Sequence, residues 1–500
     1  MPADSLTTPP GTTSSDVTPA VTPGPDPRRW LALAVIAVAQ LMIVLDVSVV
    51  NIALPDAGID LGISAANIQW VVTAYTLAFG GLLLLGGRIA DFIGRKRAFL
   101  IGLAGFAGAS ALGGIAPNQE LLFAARGLQG AFAALLAPAA LSLLAVTFTD
   151  AKERARAFAV FGAISGGGAA IGLILGGVLT EYASWRWTLG INVPIAAVTM
   201  AFAVVLVTES RATGDRRYDV PGVLLSTLGL VSLVYGFSKA AEEGVGWSDP
   251  VTLGLLAAAV VLLVSFVLYE RRASHPLLPL RVVLDRNRGG SYLVFLLVGA
   301  GIFAIFLFLT FYFQQTLGYS PLESGFAFLP FSGGIIIGAG IVSQLLPRVG
   351  PRPLIIAGLA LGVLGMLWLT QIESTSAYVT EVLPAEIAIS FGMAAVFVPA
   401  SSTALVGVAE HDAGIASAVL NTSQQVGGSL GLALLSTFYA SAVTGHLADN
   451  PGEAPGEAFV HGYHVAFLWG AVFLAVALVI AAVAISAKKD DLPAEPAMAG

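Results

Sequence analysis

Three ionisable side chains interrupt stretches of the sequence that are otherwise apolar: Asp46, Arg126 and Glu386. An isolated charge at the centre of a lipid bilayer costs at least ~3 kcal/mol on insertion scales, so such a residue needs a partner or a water-filled cavity. Burial favours the protonated acid and a nearby cation favours the carboxylate, so a conformational change that alters either lets Asp46 load or release a proton. Arginine cannot deprotonate in a protein, which suits Arg126 to tuning an acid and not to carrying the proton. The sequence therefore predicts a proton-coupling group of Asp46, Arg126 and Glu386.

Each of these assignments has a structural alternative. Asp46 and Arg126 are predicted at similar depth, where they form either a proton-coupling pair or a fixed ion pair that only holds two helices together. Glu386 lies deep in the membrane if its helix starts near Tyr378, but it marks the membrane interface if that helix starts at Ile387. A buried Glu386 would add a second protonation site or attract cationic compounds.

The composition excludes a soluble globular protein. Only 11% of the 500 residues are charged, 56% are hydrophobic and the mean hydropathy is +0.85, whereas about a quarter of the residues in a soluble domain are charged. The apolar stretches are about 20 residues long, which is the length that a helix needs to cross ~30 Å of hydrocarbon. The absence of cysteine excludes disulfides, thiol catalysis and cysteine-ligated metal centres.

An all-α membrane protein with fourteen transmembrane helices is predicted, so both chain ends lie on one side. Of the 24 Lys and Arg residues, 21 fall on the side of the chain ends and two, Arg186 and Lys239, on the other. Because cytoplasmic loops carry the excess of Lys and Arg, we expect a multi-pass plasma-membrane protein with both termini in the cytoplasm. The predicted spans are residues 30–54, 67–87, 98–115, 119–148, 157–179, 188–208, 219–238, 250–269, 289–315, 324–346, 354–370, 378–407, 413–440 and 463–487.

The spans divide into two blocks of six, helices 1 to 6 and 9 to 14, with two extra helices between them. The segment GRIADFIGRKR after helix 2 is partly repeated in the segment SQLLPRVGPR after helix 10. This degenerate repeat indicates an internal duplication of the kind found in many transporter folds. We expect a disordered cytoplasmic N-terminal tail, an N-terminal block, a linker with helices 7 and 8, a C-terminal block and a cytoplasmic C-terminal tail, at residues 1–29, 30–208, 209–288, 289–487 and 488–500.

Five motifs follow one another along the chain: LDVSVVNIALP at 45–55, GRIADFIGRK at 87–96, RGLQGAFAA at 126–134, WRWTLGINVP at 185–194 and AGIASAVLNTSQQVGGSLG at 413–431. In these motifs the sequence resembles the major facilitator superfamily and, within it, the fourteen-helix drug:proton antiporters. The resemblance covers most of the chain between the two tails. It implies a secondary transporter that exports small molecules in exchange for protons.

The loop after helix 2 matches the superfamily's cytoplasmic loop motif in Gly87, Asp91, Gly94 and Arg95. The family pattern implies that Asp91 and Arg95 clasp the two halves together in the outward-facing state and release them when the cytoplasmic side opens. The expected partner is the first turn of helix 13, near Asp412, where the helix dipole is positive. Solvated loop charges are the alternative for the basic residues of the motif.

Helix 5 carries the glycines of the antiporter motif, Gly168, Gly172, Gly176 and Gly177, but Leu173 stands where the family has a proline. Small residues four apart allow two membrane helices to approach closely, so we expect helix packing, with the family's leak-preventing role as the alternative. The matching surface is expected on helix 10, at Gly333, Gly334, Gly338 and Gly340.

Polar and aromatic residues inside the spans are the candidates for contact with the transported compound. An apolar cavity with few polar groups suits amphipathic drugs. Each residue taken singly has helix packing as its alternative. The candidates are Asn51, Gln69, Trp70, Tyr75, Gln129, Phe311, Gln314, Asn421, Gln424 and Gln425.

We therefore expect an exporter of hydrophobic or cationic drugs in exchange for protons, with a proton-coupled importer of a small nutrient as the alternative. A membrane enzyme is disfavoured because the sequence has no HExxH motif and no Walker-type GKS or GKT, which also argues against direct coupling to ATP. The expected partners are the lipid bilayer, the compound and protons. We expect a monomer, no cofactor, no metal site and no nucleic acid.

Overall fold

The structure, a computed structural model, describes residues 28–64, 67–148, 150–211, 219–240, 245–273, 276–408, 413–452 and 454–491. Within these ranges the regular secondary structure is helical and contains no strand, which confirms the all-α fold. Most of the two predicted tails lies outside the described residues. The same holds for residues 409–412, which include the expected partner of Asp91.

Fourteen helices in the described ranges are long and apolar enough to cross a membrane, as predicted. In chain order they are α1 Arg29–Leu61, α2 Trp70–Ile93, α3 Arg95–Gly114, α4 Gln119–Thr147, α5 Arg156–Tyr182, α6 Trp187–Leu206, α7 Val220–Ala240, α8 Pro250–Glu270, α9 Arg286–Thr316, α10 Pro321–Val349, α11 Pro351–Leu369, α12 Tyr378–Thr403, α13 Gly414–Asp449 and α14 Pro455–Ala484. We call the face where α1 begins and α14 ends the terminal face, and the other one the opposite face.

Several helices continue beyond the apolar run that the sequence analysis used to delimit them. The predicted end of α1 at residue 54 is wrong, because the helix continues to Leu61 and is stopped by Gly62, which adopts a left-handed conformation at φ +62° that glycine tolerates without a steric penalty. The start of α14 at residue 463 is also wrong, since the helix begins at Pro455, where proline suits a first turn. Hydrophobicity marks the hydrocarbon region, whereas turn residues mark the helix ends.

Three helices are locally irregular near the elements that matter below. The last turn of α9, Tyr312–Thr316, and the first turn of α12, Tyr378–Val382, are π-helical. Helix α6 is divided at Ile191 into a short first turn and the segment Asn192–Leu206. Single π-helical turns within α-helices are frequent at functional sites.

The glycines of α5 pack mainly on α1, and not on the glycines of α10 as expected. A Cβ atom at Gly168 would lie 3.0 Å from Val44, and one at Gly176 would lie 2.8 Å from the carbonyl oxygen of Val49. Gly177 does face α10, but at Leu322, where a Cβ would be 2.6 Å from the Cα atom. In α10 the packing glycines, Gly334 and Gly338, contact α12 at Ser390 and Ala394, whereas a Cβ at Gly333 or Gly340 would meet nothing within 4 Å.

The two six-helix blocks contact each other through α2 with α13, α5 with α10, and α1 with α9. Gln314 of α9 donates through Nε2 to the carbonyl oxygen of Ile52 in α1 at 2.9 Å. Thr76 of α2 and Ser429 of α13 share a hydrogen bond of 2.7 Å between their hydroxyl groups. These bonds tie the blocks together at the middle and toward the opposite face.

The extra helices α7 and α8 pack on each other, and α7 lies against the seam where α2 and α13 meet. Gln69, at the start of α2, donates to the hydroxyl of Ser238 in α7 at 3.2 Å. Thr437 of α13 donates to the carbonyl oxygen of Phe237 in α7 at 3.2 Å. The hairpin of α7 and α8 therefore bridges both blocks.

Candidate functional site

Asp46 is the centre of a buried hydrogen-bond network that joins four helices. Its Oδ2 accepts a bond of 2.6 Å from Nη1 of Arg126 in α4. Its Oδ1 accepts from Nε2 of Gln129, also in α4, at 2.6 Å and from Nδ2 of Asn192 in α6 at 2.8 Å. Gln129 also donates to the hydroxyl oxygen of Ser110 in α3 at 2.6 Å. Because each of these five side chains is at most 1% exposed, the whole network is removed from solvent.

The guanidinium group of Arg126 is held from several directions. Its Nε donates to the carbonyl oxygen of Val71 in α2 at 2.8 Å, and its Nη1 also donates to Oε1 of Gln129 at 2.7 Å. The ring of Tyr75 lies beneath it, with 4.6 Å from Cζ to the ring centroid. The planar fork of arginine can make these contacts at once, which a lysine ammonium cannot. Arg126 therefore links α4 to both α1 and α2.

The network fits the ionised form of Asp46. All three groups around the carboxyl oxygens are N–H donors, and an ionised carboxylate is an acceptor only, whereas the protonated acid needs an acceptor for its own O–H. One acceptor is available nearby, because Oδ1 of Asn192 is buried and has no hydrogen-bond partner among the described residues. A rotated Asn192 amide can thus serve the protonated acid as well as the carboxylate.

A separate cavity of about 320 Å³ lies near the opposite face, between α1 and helices α9, α13 and α14. Its wall includes the aromatic rings of Phe308 and Phe311 from α9, Tyr439 from α13, and Phe459 and Tyr463 from α14. None of its lining residues carries a formal charge, and none belongs to the Asp46 network. The charged centre and the cavity are therefore two distinct parts of the molecule.

The family model of the Major Facilitator Superfamily matches residues 36–432. The chain belongs to the Major Facilitator Superfamily. The resemblance seen in the sequence motifs is thereby confirmed, and the superfamily consists of transporters and not of enzymes. A bacterial homologue of the human lysosomal transporter Spinster has the same fold with a TM-score of 0.67 at 13% identity, over 94% of this chain and 100% of that one.

Several relatives within the superfamily are named for antibiotic resistance or export. The puromycin resistance protein pur8 of Streptomyces alboniger is 50% identical over 93% of each chain. The cephamycin export protein CmcT of Amycolatopsis lactamdurans is 40% identical, over 86% of this chain and 88% of the relative. The tetracenomycin C resistance and export protein of Streptomyces glaucescens is 34% identical, over 85% and 79% respectively.

The superfamily loop motif between α2 and α3 is folded against its own block. Arg95 donates through Nε to Asp91 at 3.1 Å, and 42% of the Asp91 side chain stays exposed. Gly94 has φ +110°, and a Cβ there would lie 2.6 Å from a carboxylate oxygen of Glu209, which accepts the backbone N–H of Lys96 at 3.1 Å. The positive φ, which residues with a Cβ rarely adopt, accounts for Gly94. The other motif glycine, Gly87, faces Pro138 of α4 at ordinary contact distance.

Glu386 is fully buried in α12. That helix starts at Tyr378 and not at Ile387, which confirms the alternative that places Glu386 deep in the span. The Tyr378 hydroxyl lies 2.7 Å from the carbonyl oxygen of Ala327 and 3.1 Å from Oε2 of Glu386. Oε1 of Glu386 has no partner among the described residues, and Glu386 does not line the cavity. The position therefore offers no direct contact between Glu386 and a compound in that cavity.

The ten candidates for substrate contact separate into four groups. Phe311 alone among them lines the cavity, while Tyr75 and Gln129 belong to the Asp46 network. Gln69 and Trp70 contact α7 instead, through Ser238 and, at 6.0 Å between ring centroids, Tyr235. The rest sit on α1, α9 or α13. Asn51 and the exposed Asn421 each donate to a carbonyl oxygen of their own helix, that of Val47 and that of Ser417, while Gln314 donates across to Ile52. Gln424 and Gln425 are half-buried, near Gly299 and Gly80.

Asn192 and Ser110 are site residues that the sequence analysis missed. Asn192 stands inside the quoted stretch WRWTLGINVP, where a polar residue in an apolar span was a usable signal. Ser110 gave none, because a single hydroxyl among the Ala and Gly residues of α3 is unremarkable. Only the packing of α3 against α4 brings it to the network.

Proposed function

We propose that this chain is a proton-driven exporter of antibiotic-like, hydrophobic or amphipathic compounds across the plasma membrane. The observation that carries the proposal is the fully buried Asp46, held by donors from α4 and α6. A carboxylate removed from water in the middle of a membrane protein marks a proton or ion pathway by default. The direction and the type of cargo rest on the relatives, whose names include resistance to puromycin and export of cephamycin.

Asp46 is the proposed proton carrier. Arg126 is the group proposed to control when Asp46 takes up or releases the proton. In the described conformation Arg126, Gln129 and Asn192 together favour the carboxylate. A movement of α1 away from α4 and α6 would take these donors from the carboxylate and so make its protonation easier. The fixed ion pair remains the competing interpretation, and it predicts no exchange of protons during transport.

Glu386 is proposed as a second protonation site, in the C-terminal block. Tyr378 has one hydroxyl hydrogen, so when it donates to Ala327 its oxygen can only accept from Glu386. In that arrangement Glu386 is protonated, whereas an ionised Glu386 accepts the hydroxyl hydrogen itself, so the Tyr378 hydroxyl can serve both forms. Among the described residues no basic side chain contacts the Glu386 carboxyl group, which distinguishes it from Asp46.

The terminal face is proposed to be cytoplasmic. The distribution of Lys and Arg, 21 on the side of the chain ends and two on the other, supports this orientation through the positive-inside rule. In that orientation the Asp91 loop lies at the cytoplasmic side and the aromatic cavity lies toward the side of release. Asp91 and Arg95, paired in the described conformation, are proposed to clasp the first turn of α13 when the cytoplasmic side closes.

Transport into inverted membrane vesicles tests direction, energy source and cargo together. With an acidic lumen, an exporter should accumulate dyes or antibiotics inside the vesicles, and addition of a transported compound should raise the luminal pH. A proton-coupled importer would move its compound out of the lumen instead. Accumulation that depends on ATP and not on the pH gradient would contradict the proposal.

A further inference from the structure

The aromatic cavity near the opposite face has no assigned occupant. Its volume of about 320 Å³ is at the lower end of the range of small-molecule sites, roughly 300 to 1,000 Å³. Tyr439 and Tyr463 stack on each other, with 5.2 Å between ring centroids and 27° between planes, and Phe308 packs on Tyr439 at 5.3 Å. The walls are therefore built from mutually supporting rings.

Resting on the export function above, we propose that this cavity is a release-side subsite for an uncharged, planar aromatic part of the exported compound. A cation is a poor occupant for two reasons. The lining contains no carboxylate to pair with it. In addition, Tyr439 and Tyr463 turn their faces toward each other, whereas binding of a cation by aromatic rings requires the ring faces to point at the charge.

Ser436 supplies the polar contact that would orient such a ligand. It lines the cavity from α13, is 2% exposed, and its hydroxyl has no hydrogen-bond partner among the described residues. A serine in a helix can return its hydrogen to a carbonyl of the preceding turn, as Thr437 does to Ala433 at 2.7 Å. Ser436 makes no such bond in the described conformation, so its hydroxyl hydrogen can turn to a carbonyl group of the ligand.

The position of the cavity fits release. Phe311 and Gln315 of α9 line it, and Gln314 between them makes the bond to Ile52 that ties α9 to α1. This bond must break if α1 and α9 are to separate next to the cavity. A compound that passes between the blocks would meet the aromatic wall on its way out.

The extra hairpin braces this cavity. Ile68 and Ser436 line the cavity, and each is followed in the chain by a residue that is hydrogen-bonded to α7. Gln69 donates to Ser238, and Thr437 donates to the carbonyl oxygen of Phe237. Helix α7 thus supports two walls from behind. This gives α7 and α8 a role in shaping the subsite.

Equilibrium binding of coumarin, naphthalene and ethidium to the full chain in lipid nanodiscs tests the proposal. Coumarin and naphthalene are neutral and planar, but only coumarin has a carbonyl group, and ethidium is a cation. Both neutral probes should bind saturably. Ser436→Ala should weaken coumarin roughly three- to ten-fold, the worth of one hydrogen bond, and leave naphthalene unchanged.

Ser436→Leu, which fills the cavity, should weaken both neutral probes by at least about ten-fold, whereas Ser441→Leu, at an exposed position of the same helix, should weaken neither. Absence of saturable binding, equal binding by Ser436→Leu, or full displacement by ethidium would overturn the proposal. If Ser436→Leu does not fold, the coumarin-to-naphthalene ratio in Ser436→Ala still decides. Binding without any proton-linked flux in vesicles would refute the export function and not the site.

Discussion

Asn192 and Asp46 are 146 residues apart in the sequence, yet Nδ2 of Asn192 lies 2.8 Å from Oδ1 of Asp46 in a site closed to solvent. Asn192 begins the longer segment of α6, immediately after the break at Ile191. That break aims the amide at α1. The proposed proton-coupling site is therefore formed by α1, α4 and α6, and not by α1 and α4 alone.

Replacing Asn192 should weaken coupling without abolishing the ion pair. Asn192→Leu removes one of three donors to the carboxylate, and a hydrogen bond to a charged group is worth about 1.5 to 3 kcal/mol. We expect compound-induced proton release to fall by at least roughly ten-fold. The matched control is Asn51→Leu, because within the described part of the chain Asn51 donates only to the carbonyl oxygen of Val47 in its own helix. Equal losses in the two variants would point to helix packing.

The glycine face of α5 should be sensitive to a single methyl group at one position and tolerant at another. A Cβ atom at Gly172 would collide with the hydroxyl of Ser48, whereas a Cβ at Gly167 would meet nothing within 4 Å. Gly172→Ala should destabilise the protein by about 1 to 3 kcal/mol through overpacking against α1. Gly167→Ala should leave its thermal unfolding temperature unchanged or slightly higher. Equal unfolding temperatures for both variants would contradict this packing.

Asp91→Asn should favour opening at the terminal face. The carboxylate that would face the first turn of α13 in the closed state is worth roughly 0.3 to 2 kcal/mol of dipole interaction, enough to shift a balanced equilibrium several-fold. Single cysteines replacing Ser142 in α4 and Ser402 in α12 should then react faster with a maleimide added from that face. The natural chain has no cysteine to interfere. Unchanged rates would show that Asp91 acts within its own loop, through Arg95.

Glu386→Gln should preserve folding, since the glutamine amide can either accept the Tyr378 hydroxyl hydrogen or donate to the hydroxyl oxygen in place of the acid. If Glu386 is a second proton site, the number of protons moved per compound should fall. Cationic and neutral compounds should be affected alike, because Glu386 does not line the cavity. A loss confined to cationic dyes would instead support direct attraction of the charge. Proton flux and compound flux measured together distinguish these results.

The fourteen helices were predictable because the length of each apolar run can be read from the sequence. Asp46 and Arg126 were predictable because a charged residue within an apolar span is rare. Helix ends were less predictable, since Gly62 and Pro455 lie beyond the apolar runs. The partners of α5 and α10 could not be inferred, because a glycine face fits any close neighbour. The direction of Gln69 toward α7 depended on where the extra hairpin docks, which no local pattern specifies.

Asp46→Asn is the most direct test of the proton-coupling mechanism. Asparagine keeps the size of the side chain but can neither bind nor release the proton. In inverted vesicles with an acidic lumen, compounds that raise the luminal pH with the natural protein should produce no change with Asp46→Asn, while the variant remains folded in the membrane. Normal alkalinisation of the lumen by Asp46→Asn would contradict the mechanism and leave Asp46 and Arg126 as a fixed structural pair.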